Sequence, residues 1–168
     1  MLSHKEEGEH KFTGASLVHA AAKRGGAIGA FNVILIEHAE AYAIGANASK
    51  LPTIFQISQN AVEYHGFLKP IARACQAIAE QSEVDISVHL DHAEDENLIR
   101  QALDLGFDSI MFDGSKLDFA TNVAKSAELA KLCQQYGASL EVELGEVGGK
   151  DGVHAPGVRT TRQKQRSS

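Results

Sequence analysis

The chain has no tryptophan, two cysteines, three prolines and two methionines in 168 residues. Two cysteines cannot build the dense disulfide framework of a small secreted scaffold. Cys75 and Cys133 both fall in helical patterns, where a buried free thiol is the expected state. No apolar run approaches the roughly 20 residues of a membrane span. Met1 to Lys11 is polar and charged, without the apolar core of a signal peptide, so cytoplasm is the expected location. Positive charge is scarce too. Sixteen Lys and Arg stand against 22 Asp and Glu, a net charge of -6, which argues against a general nucleic-acid or membrane-surface binder. What is present is ordinary for a globular protein, 43% hydrophobic and 23% charged. The length suits one packed domain.

Helical and strand signals alternate from about residue 13 to 150. Leu17, Ala20, Ala21 and Arg24 fit a short helix stopped by Gly25-Gly26. Ala27 to Asn32 reads as a strand, Ile36 to Lys50 as a helix and Thr53 to Ser58 as a strand. Leu68, Ile71, Cys75 and Ile78 recur at helical spacing, with Pro70 tolerable only in the first turn. Asp85 to Asp91 is the third strand. Asp95-Glu96 suit a helix N-terminus, Leu98, Ile99, Ala102 and Leu103 form its apolar stripe, and Gly106 closes it. Phe107 to Asp113 is the fourth strand. A long helix marked by Phe119, Val123, Ala127 and Ala130 ends at Gly137, and Ser139 to Leu144 is the fifth strand.

This alternation implies parallel βαβ units, in either a doubly wound open sheet or a (β/α)₈ barrel. No Gly-x-Gly-x-x-Gly follows the first strand, which weakens a dinucleotide-binding sheet. Side-chain parity favours the barrel. Asn32, Ser58, Asp91, Asp113 and Glu143 each end a strand, with Ala30, Gln56, His89, Met111 and Glu141 behind them on the same face. Phe31, Ile57, Leu90, Phe112 and Val142 lie opposite, suited to packing under helices. Five strands ending in an inward polar residue match the site-bearing rim of a barrel. The richest segment is His89-Leu90-Asp91-His92-Ala93-Glu94-Asp95, where a metal-ligand residue type adjoins a proton-transfer carboxylate. Of the eight histidines, His4, His10 and His19 read as surface residues near the N-terminus.

Gly29-Ala30-Phe31-Asn32, Gln56-Ile57-Ser58, His89-Leu90-Asp91-His92, Gly106 through Ser115, and Glu141-Val142-Glu143-Leu144-Gly145 with Gly148-Gly149 occur in that order. Together, over residues from about 13 to 159, they resemble the class II, zinc-dependent ketose-bisphosphate aldolases, the fructose- and tagatose-bisphosphate aldolase family. The resemblance implies an α/β fold of (β/α)₈ TIM-barrel type, with only about the first five βα units present. It also implies reversible cleavage of fructose or tagatose 1,6-bisphosphate to glycerone phosphate and glyceraldehyde 3-phosphate in glycolysis and related carbohydrate metabolism. Full-length members are expected to be homo-oligomers.

The resemblance also implies roles. His92 matches a ligand of the catalytic Zn²⁺, which polarises the ketose carbonyl and stabilises the enediolate. Asp91 matches the carboxylate that exchanges the C4 hydroxyl proton, its ionised form favoured by the nearby cation. Asp113 and Glu143 match carboxylates of a second or alternative position for a divalent or monovalent cation. Asn32 and Ser58 match substrate-side contacts. His89 reads equally as a residue orienting Asp91 or the metal shell and as a satisfied core histidine. Gly148-Gly149 opens the family's acid-bearing loop, where two adjacent acids are common. Lys150-Asp151-Gly152 offers one, so Asp151 is the candidate, with Glu146 beside it.

A (β/α)₈ barrel typically takes about 250 residues, and five strands are legible here. The expected organisation is a polar extension over 1–12, a partial barrel domain over 13–158 and a basic, disordered tail over 159–168 without aliphatic or aromatic residues. The family's other zinc-ligand histidines lie on later strands, and His154 sits in the wrong context to replace one. The reading is therefore a truncated aldolase, by frameshift, split gene or partial sequence, with exposed strand edges, poor solubility or oligomerisation, and no turnover by itself. The alternative is a non-catalytic sugar-phosphate-binding remnant, or a subunit completed by a partner chain.

Overall fold

Each of the five apolar runs becomes a strand, and all five pair in parallel in sequential order. A computed structural model describes residues 12–145. Its strands are β1 Gly29–Asn32, β2 Thr53–Ser58, β3 Ile86–Ala93, β4 Ser109–Phe112 and β5 Ser139–Val142, ordered β1-β2-β3-β4-β5. Helix α1, Gly14–Lys23, precedes β1, and α2, Ile36–Ser49, joins β1 to β2. Helices α3, Gln59–His65, and α4, Leu68–Glu80, join β2 to β3. Helix α5, Glu96–Asp104, then leads to β4, and α6, Phe119–Gln135, to β5. A doubly wound sheet reverses its strand order at a switch point. An unbroken sequential order is that of a barrel wall. None of the described helices is long and apolar enough to cross a membrane.

Alternation sorts the sheet as its sequence predicts. Phe55 and Ile57 of β2, Val88 and Leu90 of β3, and Ile110 and Phe112 of β4 are buried in one apolar cluster. Its helical side is Leu68, Ile71, Ala72 and Cys75 of α4 with Leu98, Ile99, Ala102 and Leu103 of α5. Pro70 stands third in α4, in the turn whose N–H groups have no intrahelical partner to lose. Asp95 caps α5, its side chain accepting from Asn97 N at 2.8 Å. Cys75 and Cys133 are free and buried, and burial pushes the Cys75 thiol up to about 12.

At the opposite end from the candidate site, α1 closes against the strands' N-terminal ends. Asp108 Oδ1 accepts from Gly14 N at 3.1 Å and from Ser87 Oγ at 2.6 Å. A Cβ on Gly14 would lie 2.8 Å from Ser109 Cβ and 3.0 Å from Ser87 Oγ, so only glycine lets the helix come this close.

Two features depart from the expected pattern. Helix α3 follows β2 directly, and Ser58, expected only to end a strand, is its N-cap, accepting from Ala61 N at 3.1 Å. Strand β3 does not open into a loop at Asp91; it runs on to Ala93 through a register shift between Leu90 and Ala93. The β1 edge is bare among the described residues. All four residues of β1 are exposed, and Phe31, 45% exposed, stacks on Tyr42 at 5.1 Å.

Candidate metal and proton-transfer site

Strict alternation would send His92 to the same face as Leu90, toward the helices. The backbone prevents this. His92 has φ 48, one of two positive values among the described non-glycine residues, inside the β3 bulge, where an extra residue re-aims the side chain. Its Nδ1 lies 3.0 Å from Asp113 Oδ2 and 3.1 Å from Glu143 Oε2. The β3 bulge and the C-terminal ends of β4 and β5 thus meet at one point.

Each partner is fixed from behind. Asp113 is buried, and its Oδ1 accepts from Ser115 N at 3.1 Å and Ser115 Oγ at 2.5 Å. Its own N–H donates to Ala93 O at 2.9 Å, and Glu143 N donates to Phe112 O at 3.2 Å. The donor atoms of His92, Asp113 and Glu143 all lie within 4.8 Å of one another, the one such group of His, Cys, Asp or Glu among the described residues. Two carboxylates converge here on a single imidazole nitrogen. Like charges so close favour a cation between them, and one imidazole with two carboxylate oxygens is a donor set that accepts Zn²⁺ and other divalent ions. The residues fit a metal.

Asp91 is buried beside this cluster, with Gln56 Nε2 donating to its Oδ1 at 3.4 Å. Asp91 is not a helix cap; Asp95 takes that role. Deeper in the wall, His89 Nδ1 is 2.7 Å from Ser109 Oγ, and burial first, then the charge of His92, pushes its pKa down from 6.5 to about 4. Asn32 ends β1, exposed, its carbonyl accepting from Tyr42 Oη at 3.4 Å. Ser58, half-buried, ends β2 on the same rim. Asp151, Glu146, Gly148-Gly149 and His154 lie outside the described residues.

Sequence reasoning missed two side chains that organise this rim. Gln59 Oε1 accepts from both Glu94 N, at 2.9 Å, and Asp95 N, at 3.1 Å, tying the start of α3 to the loop after His92. Asn122 reaches the backbones on both sides of the carboxylate pair. The only signal for Asn122 was a poor helix former inside an otherwise good helix.

A sequential parallel wall defines an α/β chain of TIM-barrel type, and its metal-type donors gather at the strand C-termini, the rim that carries active sites in that fold. The family model "Fructose-bisphosphate aldolase class-II" matches residues 13–167, and the chain belongs to that family. A fructose-bisphosphate aldolase of Streptococcus pyogenes serotype M3 is 36% identical over 143 residues, covering 83% of this chain and 48% of that protein. A 6-phospho-5-dehydro-2-deoxy-D-gluconate aldolase of Bacillus velezensis is 35% identical over 135 residues, covering 79% and 47%. A crystal structure described as a fructose-1,6-bisphosphate aldolase from Coccidioides immitis superposes with a TM-score of 0.82 at 30% identity, covering 92% of this chain and 55% of that one. The chain spans about half the length of the curated relatives it matches.

Proposed function

We propose that this chain supplies the proton-transfer and first metal-binding wall of a class II ketose-bisphosphate aldolase, acting reversibly on fructose or tagatose 1,6-bisphosphate. The convergence of Asp113 and Glu143 on His92 carries the reading. His92 would hold the catalytic zinc together with ligands from βα units beyond the five strands described here, while Asp113 and Glu143 would hold a second cation position. Bound there, zinc supplies a Lewis acid for the ketose carbonyl. Asp91 takes the C4 hydroxyl proton in cleavage and returns it in condensation. The Gln56 amide donates to one Asp91 oxygen and so holds the carboxylate at the rim. Asn32 and Ser58 contact the sugar phosphate from the rim, and Asp151 is the candidate acid for the later proton step.

The B. velezensis relative bears the name of an aldolase for a different phosphorylated sugar acid, so family membership alone does not select the ketose. A second reading, a non-catalytic sugar-phosphate-binding subunit completed by a partner chain, draws on the bare β1 edge and the groove beside it. Phe31, Tyr42, Gly45 and Leu51 line that groove.

The test is a chimera in which residues 13–145 replace the corresponding part of the S. pyogenes relative. The expected outcome is cleavage of fructose or tagatose 1,6-bisphosphate that a chelator abolishes and zinc restores, and that Asp91→Asn lowers by at least about 100-fold. A folded chimera that binds the sugar phosphate without turnover favours the second reading. Turnover by the 168-residue chain alone would refute the need for later units.

A further inference from the structure

We infer that Asn122 is a positioning residue for the metal-type cluster, holding in place the two backbone segments that carry Asp113 and Glu143. The inference rests on the metal reading above. Asn122 is 3% exposed in α6, an element that contributes no donor to the cluster. Its Nδ2 donates at 2.9 Å to Gly114 O, next to Asp113, and at 2.9 Å to the carbonyl of Glu143 itself. Both acceptors are carbonyls, so the amide can face them only with its nitrogen, and its orientation is fixed. The amide oxygen is engaged as well, accepting from Ser126 Oγ one turn along the helix at 3.1 Å. One planar group therefore spans the ends of β4 and β5 and sets the separation of the two acidic segments.

Helix capping does not account for Asn122. Asp118 already caps α6, accepting from Thr121 N at 3.1 Å. Gly114 is shaped around the amide, for a Cβ there would lie 2.6 Å from Asn122 Cγ and 2.9 Å from its Nδ2. Ser115 does the complementary work on the Asp113 side chain, occupying Oδ1 so that Oδ2 turns to His92. Asn122 and Ser115 together fix both the backbone and the side-chain direction of the acidic pair.

The test titrates Zn²⁺ by calorimetry and Co²⁺ by visible absorption into the 168-residue chain and its variants. Outer-shell partners of metal ligands typically cost about 10–100-fold in affinity when removed. Asn122→Ala is expected to weaken both cations at least about tenfold and to alter the Co²⁺ band. Ile99→Val, which loosens only the outer core, should leave affinity and band unchanged. Ser126→Ala frees the amide without deleting it and should weaken binding about threefold or more, so it carries the test if Asn122→Ala does not fold. Affinity within twofold of the original in either folded variant overturns the inference. No binding by the unsubstituted chain overturns the reading that His92, Asp113 and Glu143 by themselves hold a cation, and the inference with it.

Discussion

Removing the imidazole of His89 should flatten the acid side of the stability profile. His89 is 3% exposed on the inner face of the wall, and its Nε2 has no hydrogen-bond partner among the described residues. Burial, reinforced by His92, lowers its pKa from 6.5 to about 4. Above pH 6.5 the ring is neutral in both states and contributes no pH dependence. As pH falls below 6.5 the unfolded chain takes up a proton that the folded chain refuses, so stability is lost. The loss saturates below about pH 4, where the folded state protonates too. The gap between the two values corresponds to about 3 kcal/mol in full, of which about 2 kcal/mol is spent by pH 5. Urea unfolding at pH 8 and pH 5 measures it, with denaturant limiting association near the sequence pI of 5.7. The original chain should lose about 2 kcal/mol more than His89→Gln between these values. Parallel profiles for the two chains would refute the reasoning, as would an imidazole nitrogen spectrum with His89 charged at pH 5.

Asp108→Ala removes the acceptor for both Gly14 N–H and Ser87 Oγ; it should cost about 1–3 kcal/mol and speed amide exchange at Gly14, whereas unchanged exchange would show that α1 is held by packing alone. Phe55→Ala, at a fully buried position under α2 and α4, should cost about 3–5 kcal/mol in urea unfolding, and a loss below about 1 kcal/mol would mean that the outer core does not close in solution.

The strands were legible because each combines a period of two with a clear stop, and the five stops fell on one face. That parity was enough to gather Asp91, Asp113 and Glu143 at one rim. It was not enough to place His92. Alternation alone assigns His92 to the helix-facing side with Leu90, and a single left-handed backbone angle within the bulge reverses that assignment. Hydrophobic period carries no information about such an angle. Helix α3 was missed because its seven residues hold too few turns for a period to register. Asn122 was missed for a different reason. In sequence it is a polar residue on a helix, normally a solvated position, and only the two carbonyls that converge on it give its burial a cause.

The register of the wall explains why chemistry and stability sit on opposite faces of these strands. Asn32 pairs with Gln56, Gln56 with His89, His89 with Ser109 and Ser109 with Ser139, giving one polar row across all five strands. Barrel interiors are usually filled at such levels by branched apolar side chains. Here the row is tied by bonds within the wall, His89 to Ser109 and Gln56 up to Asp91. The inner face therefore gains little from apolar burial, and its hydrogen bonds serve to aim the rim groups. The apolar gain lies outside, where Phe55, Leu90 and Phe112 are covered by helices belonging to the same five-stranded segment. Those helices and strands all lie within the described residues, so the outer core is built from this one segment.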